Sequence, residues 1–189
     1  AITGSGLVTA GTQVNFAGSG DAGSSGSRIN TSAPAIDVST TGGADVFVTN
    51  KLDTGVTLTG NTTASNTAVS VVSRNTANSN PDAVIIGAGN LVNSGTGSSV
   101  TLSGSTLLLT GGITSPSITL DFAGDLTGSG TLAAAVALQL EGTGNVGTSS
   151  SLISINTPSL VLNKASGDVF VNNAAATSTL TATAFSGAG

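Results

Sequence analysis

Residues 167–173 read GDVFVNN and residues 44–50 read ADVFVTN. The match extends in both directions. "PAIDVSTTGGADVFVTN" aligns with "PSLVLNKASGDVFVNN", with one extra residue in the first copy, and "INT" at 29–31 aligns with "INT" at 155–157. Further back, "QVNFAGSGDAGSS" lies on "LQLEGTGNVGTSS", so that Val14 meets Leu138, Phe16 meets Leu140, and Gly18, Gly20 and Gly23 meet Gly142, Gly144 and Gly147. "TGSGLVTA" at 3–10 lies on "TGSGTLAA" at 127–134. The period is about 124 residues: 3–65 resembles 127–189, and the middle, 66–124, occurs once. A repeat of this kind implies stacked units that bury their cores against their neighbours. A single solenoid segment over 1–189 is therefore expected.

The units are strands. "AIDV", "GVTLT", "AVSVV", "SVTLS", "SITLDF", "LISIN" and "SLVLN" are short, alternating and rich in β-branched residues. Gly, Asn, Asp, Ser and Pro separate them and supply turn geometry. No stretch keeps a 3.6-residue apolar stripe for three turns. The Ala-rich piece at 133–137 has helical propensity, but its repeat partner is poor helix material. Apolar residues return at roughly 17–22-residue intervals through Leu58, Val71, Ile85, Leu102, Leu120, Leu140, Leu162 and Leu180. That spacing predicts an all-β parallel β-helix of about nine rungs with about 20 residues each, a rod about 45 Å long at the inter-strand spacing. Asn50, Asn156, Asn163 and Asn173 follow strands, where amides cap or ladder backbone groups. Alternation places Val46, Val48, Val169 and Val171 inward and turns Phe47 and Phe170 outward.

Composition removes many functions. Of 189 residues, 7% are charged and the net charge is −5; there is no His, Cys, Met, Trp or Tyr. The recurring Val, Ile, Leu and Thr favour an ordered chain over a disordered one. Without Cys there is no disulfide framework and no thiolate metal site. Four Lys and Arg residues make no patch for nucleic-acid phosphates or anionic lipid. "GTLAAAVALQL", interrupted at Gln139, is too short for a membrane helix. The chain starts at Ala1, which suggests a processed product or an excised piece.

Residues 126–173 contain a "GSGTL" turn, a "GNVGT" corner, an apolar "L-x-L" strand and a "GDVFVNN" rung. In these features the segment resembles the rungs of filamentous-haemagglutinin-like exoproteins, and residues 3–50 repeat the pattern less closely. The resemblance implies a right-handed β-helix, export to the bacterial surface, and roles in adhesion or matrix building. Nothing matches that family's N-terminal secretion domain.

Candidate sites are few. Asp121 and Asp125, in "DFAGD", are the best acidic pair, as Ca²⁺ ligands or as an acid–base pair. The competing reading is a solvated turn, the usual lot of scattered carboxylates. Asp45 and Asp168 open equivalent strands, which suits a corner hydrogen bond. Asp168 and Lys164 are close in sequence, but nothing completes a site. Without a histidine base no serine is activated, so no catalysis, no cofactor and no firm metal site are expected. The leading function is a structural segment of a long extracellular fibre: adhesin, surface filament or matrix. Its partners are copies of itself or flanking repeats end to end, with host or neighbour-cell glycans as a further class. The alternatives are a glycan- or ice-binding solenoid, the latter suggested by Thr57/Thr59, Thr179/Thr181 and Thr181/Thr183, and a polysaccharide-degrading enzyme. A β-helix leaves unpaired strands at its ends. No capping device is visible at either end here, so a free monomer is not expected as the working form.

Overall fold

The computed structural model describes residues 1–74 and 84–182. Part of the middle segment and the end of the second repeat copy, with Thr183, lie outside the described residues. Those described form a parallel β-solenoid with no helix. Every pairing between named strands is parallel, and each strand bonds to its neighbours one turn below and one turn above.

Two sides alternate along the chain. The first climbs through β1 (Leu7–Thr9), β3 (Ile29–Ser32), β5 (Val46–Asn50), β7 (Ala68–Ser73) and β9 (Ser99–Gly104). It continues through the second halves of β11 (Ile113–Phe122) and β13 (Thr131–Gly142), then β15 (Ser159–Lys164) and β17 (Thr179–Ala182). The second side climbs through β2 (Val14–Gly18), β4 (Ala35–Thr40), β6 (Val56–Thr62) and β8 (Val84–Asn93). It goes on through β10 (Leu107–Leu109) and β12 (Leu126–Gly128), each followed by the start of the next long strand, then β14 (Ile153–Asn156) and β16 (Val171–Asn173). β11 and β13 pass from one side to the other. The Ala-rich stretch belongs to β13 and is strand, because the ladder on β11 supplies hydrogen bonds that helical propensity alone does not outweigh.

A turn takes roughly 22 residues, close to the expected 20. The excess lies mainly in the single middle segment, where Val71 pairs with Leu102 and Gly60 with Leu91. The core is a set of inward rows, one residue per turn. Val48, Val71, Leu102, Leu120, Leu140 and Leu162 form one such row. The expected row differs from it. Leu58 pairs with Ile86 and Ile85 with Leu108 on the second side, while Leu180 sits over Leu160. Equal spacing in sequence does not tell one side from the other when turns differ in length.

Repeat partners lie on opposite sides. Ala22 pairs with Val46, and the row continues through Val69, Val100 and Ile118 to Leu138, five steps on the first side. The repeat partner of Ala22 is Val146, which pairs with Leu126 on the second side. The period is therefore about five and a half turns. Local conformation is nevertheless kept. Gly23 (φ 75°) and Gly147 (φ 65°) both adopt the left-handed conformation that favours glycine. Each opens a tight turn, closed by Ser24 against Ser27 and by Thr148 against Ser151.

Candidate functional surface

The polar side chains at the corners serve the backbone. Asn50 is fully buried, accepts from Thr31 Oγ1 (2.9 Å) and Ala33 N–H (3.1 Å), and donates through Nδ2 to Ala33 O (3.1 Å). Its repeat partner Asn173 accepts from Thr157 N–H (3.1 Å) and donates to Thr157 O (2.9 Å). Asn93, which strand-end position did not single out, does the same for Thr67: it accepts from Oγ1 (2.6 Å) and donates to its carbonyl (3.1 Å). Asn156 and Asn163 are exposed instead, and Asn163 donates to Glu141 at 3.5 Å.

The carboxylates are part of the same device. Asp21 Oδ1 accepts from Asp45 N–H (3.0 Å), and Asp45 Oδ1 accepts from Ala68 N–H (2.8 Å). On the opposite side Asp125 Oδ1 accepts from Asn145 N–H (2.8 Å), and Asn145 Oδ1 accepts from Asp168 N–H (2.9 Å). Each oxygen satisfies an amide that opens the next turn, a charge-assisted or amide bond to backbone. Asp121 is elsewhere, in an outward row with Ser103, Glu141 and Asn163. It accepts from Ser103 Oγ at 3.5 Å. The two candidate residues thus have separate roles, one on the sheet face and one at a corner. Among the described residues no group of three or more His, Cys, Asp or Glu could hold a metal ion.

Two of the cations, Arg28 and Lys164, are also built into the coil. The Arg28 guanidinium donates to Val48 O (2.8 Å), Ser70 O (2.7 Å) and Ser70 Oγ (3.1 Å), and lies 5.8 Å from the Phe47 ring centroid. It ties three successive turns. Burial, and then the charge of Arg74, lower its pKa. Phe47 is half-buried beneath it while Val46 and Val48 fill the core; Phe170, Val169 and Val171 are half-buried in the last turns. Lys164 is 1% exposed and points inward. Its Nζ has no hydrogen-bond partner and lies 4.6 Å from the Phe122 ring centroid. Burial lowers its pKa, and Asp125 and Asp121 partly offset this. Asp168 stays exposed at its corner, so this pair makes no site.

A groove of about 450 Å³ opens where Ser115 pairs with Ala134 but Ser117 with Ala137, which bulges Ala135 and Val136 outward. Ser94, Thr114, Pro116, Ala135, Asn156 and Pro158 line it. None of these titrates, so the groove has no acid–base chemistry. The Thr pairs do not share a face: Thr57 and Thr59 lie on the second side, where Thr59 Oγ1 donates to Asp37 (2.9 Å), and Thr179 and Thr181 lie on the first. Thr183 lies outside the described residues.

The class that this geometry defines is the parallel β-solenoid, with polar residues spent on holding successive turns together. Comparison with protein-family models, curated proteins and solved structures finds no match for this chain.

Proposed function

We propose that this chain is a structural segment of a long, repetitive extracellular fibre, of adhesin, surface-filament or matrix type, without catalysis. The observation that carries the reading is where the polar chemistry goes. Asp21, Asp45, Asp125, Asn50, Asn93, Asn173 and Arg28 each bond to backbone of another turn. Side chains used in this way stiffen a rod and, among the described residues, leave no convergent set for acid–base or nucleophilic work. The resemblance of residues 126–173 to filamentous-haemagglutinin-like rungs supports a bacterial surface location, with copies of the chain or flanking repeats as end-to-end partners and glycans as external ones.

Ice binding is less favoured, because the Thr pairs are divided between opposite sides. Electron microscopy of the native material tests the fibre reading. Thin unbranched rods at the cell surface are expected. Compact particles of about the chain's own mass, or turnover of an acidic polysaccharide, would overturn it.

A further inference from the structure

Where the chain leaves the second side and turns toward the first, one outward row runs through Val92, Thr114, Ala133 and Asn156, one residue per turn. Ser94, Pro116 and Pro158 follow in three of the same turns. Apart from Val92, these residues line the groove of about 450 Å³ beside the bulge in β13. The groove therefore runs along the coil axis across four turns, about 14 Å at the inter-strand spacing. Its volume is that of a small-molecule site.

The polar side chains of this groove differ from those at the corners of Asn50, Asn93 and Asn173, which are spent on backbone. Asn156 also ends a strand, but its carboxamide is exposed and has no hydrogen-bond partner among the described residues. The hydroxyls of Thr114 and Ser94 are exposed in the same way, again without a partner there. The reason is local. Thr157 is buried and takes the structural role: its Oγ1 donates to Ser159 O (2.8 Å), and its N–H and C=O are held by Asn173. Alternation then turns Asn156 outward. Thr114 and Asn156 stand two turns apart, about 10 Å, on either side of Ala133. The single methyl group of Ala133 leaves a gap between the two polar side chains, with an apolar floor that Pro158 extends.

We infer that this groove binds a short neutral oligosaccharide, seated over Ala133 between Thr114 and Asn156. The inference rests on the glycan partner of the fibre reading and says where that partner is held. Hydroxyl and carboxamide groups both donate and accept, as sugar hydroxyls do. Ala133 and Pro158 offer apolar surface to the C–H face of a sugar ring. Charge excludes the other ligands. No titratable residue lines the groove, and the chain carries a net −5, so an anionic glycan meets repulsion and no cation. A cationic ligand meets no carboxylate. A peptide strand finds no open edge here, because β11 pairs with β8 and β13, and β13 with β11 and β14. With no aromatic ring in the lining to stack on the sugar, a single site binds weakly.

A glycan array tests the site. The full chain is applied to neutral hexose and N-acetylhexosamine oligosaccharides and to their sialylated and sulfated counterparts, and binders are titrated in solution. Retention of neutral glycans is expected, with no gain from added negative charge. Ala133→Ile fills the gap with a residue that suits a strand and is expected to abolish binding. Asn156→Ala and Thr114→Val are each expected to weaken it about ten-fold. Thr114→Val keeps shape and strand propensity, so its loss reports the hydroxyl; far-UV circular dichroism verifies the fold of every variant. Asn163→Ala, in the outward row of the first side, is expected to change nothing. Retention of no neutral glycan, tighter binding of the anionic ones, or undiminished binding by Asn156→Ala and Thr114→Val overturns the inference. The fibre reading is judged separately by microscopy: rods that bind no neutral glycan sink the site alone, and compact particles that bind one sink the fibre alone.

Discussion

Lys164 Nζ lies 4.6 Å from the centroid of the Phe122 ring, two turns below it, and the residue between them in the row is Gly142. A Cβ at 142 would meet the Phe122 backbone, which is why that position is glycine. The ring's negative face is the polar surface opposite the ammonium, which has no hydrogen-bond partner. In the first copy the equivalent residue is Thr40, whose Oγ1 bonds instead with Thr62 (3.1 Å).

Lys164→Met is expected to raise stability at neutral pH by about 1 kcal/mol, because it removes a buried, unpaired amine and keeps the stem. The folded pKa is lowered from 10.5, by burial first. Between the folded value and 10.5 the unfolded chain binds more protons, so wild-type stability rises with pH across that window and is lowest below it. Urea unfolding at pH 7 and at pH 10.5 checks both points. The variant should lose this part of the slope.

Gly18 and Gly142 are repeat partners with positive φ, 114° and 89°. A Cβ at 18 meets nothing within 4 Å, whereas at 142 it would collide with the Phe122 carbonyl. Gly18→Ala should cost about 1 kcal/mol, for backbone strain alone. Gly142→Ala should cost about 3 kcal/mol or more. Equal midpoints in thermal unfolding would contradict the difference.

Asn50→Ala should cost about 2–3 kcal/mol, since it strands the buried N–H and C=O of Ala33 and the Thr31 hydroxyl. Asn173→Ala should cost about 1 kcal/mol, because its corner is only part-buried. Hydrogen exchange at Ala33 and Thr157 locates the loss in each case.

Arg28→Leu places in the first copy the residue found at the equivalent position, Leu152. It should destabilise by about 2 kcal/mol through lost bonds to Val48 and Ser70. Arg28→Lys should recover less than half of this, because an ammonium lacks the planar fork that reaches both carbonyls. Chemical denaturation of the three proteins side by side gives the comparison.

Much of the coil is legible in the chain itself. Alternating Val, Leu and Thr, interrupted by Gly and Asn, specify short strands and corners through residues that are close in sequence. For the same reason Gly23 and Gly147, or Asn50 and Asn173, reach the same local geometry in both copies. The corner role of Asp45 follows from its place at a strand start. Other features depend on the sum of many turn lengths. Leu58 and Val71 fall on opposite sides of the coil and so in different rows, and Val146 lies across it from Ala22. No local pattern encodes that sum. The inward course of Lys164 is of the same kind, since its amine lies against a phenylalanine two turns away. Strand and corner chemistry is thus a property of neighbours along the chain. Side, row and burial are set by stacking, because only the ladder decides which distant residues become neighbours.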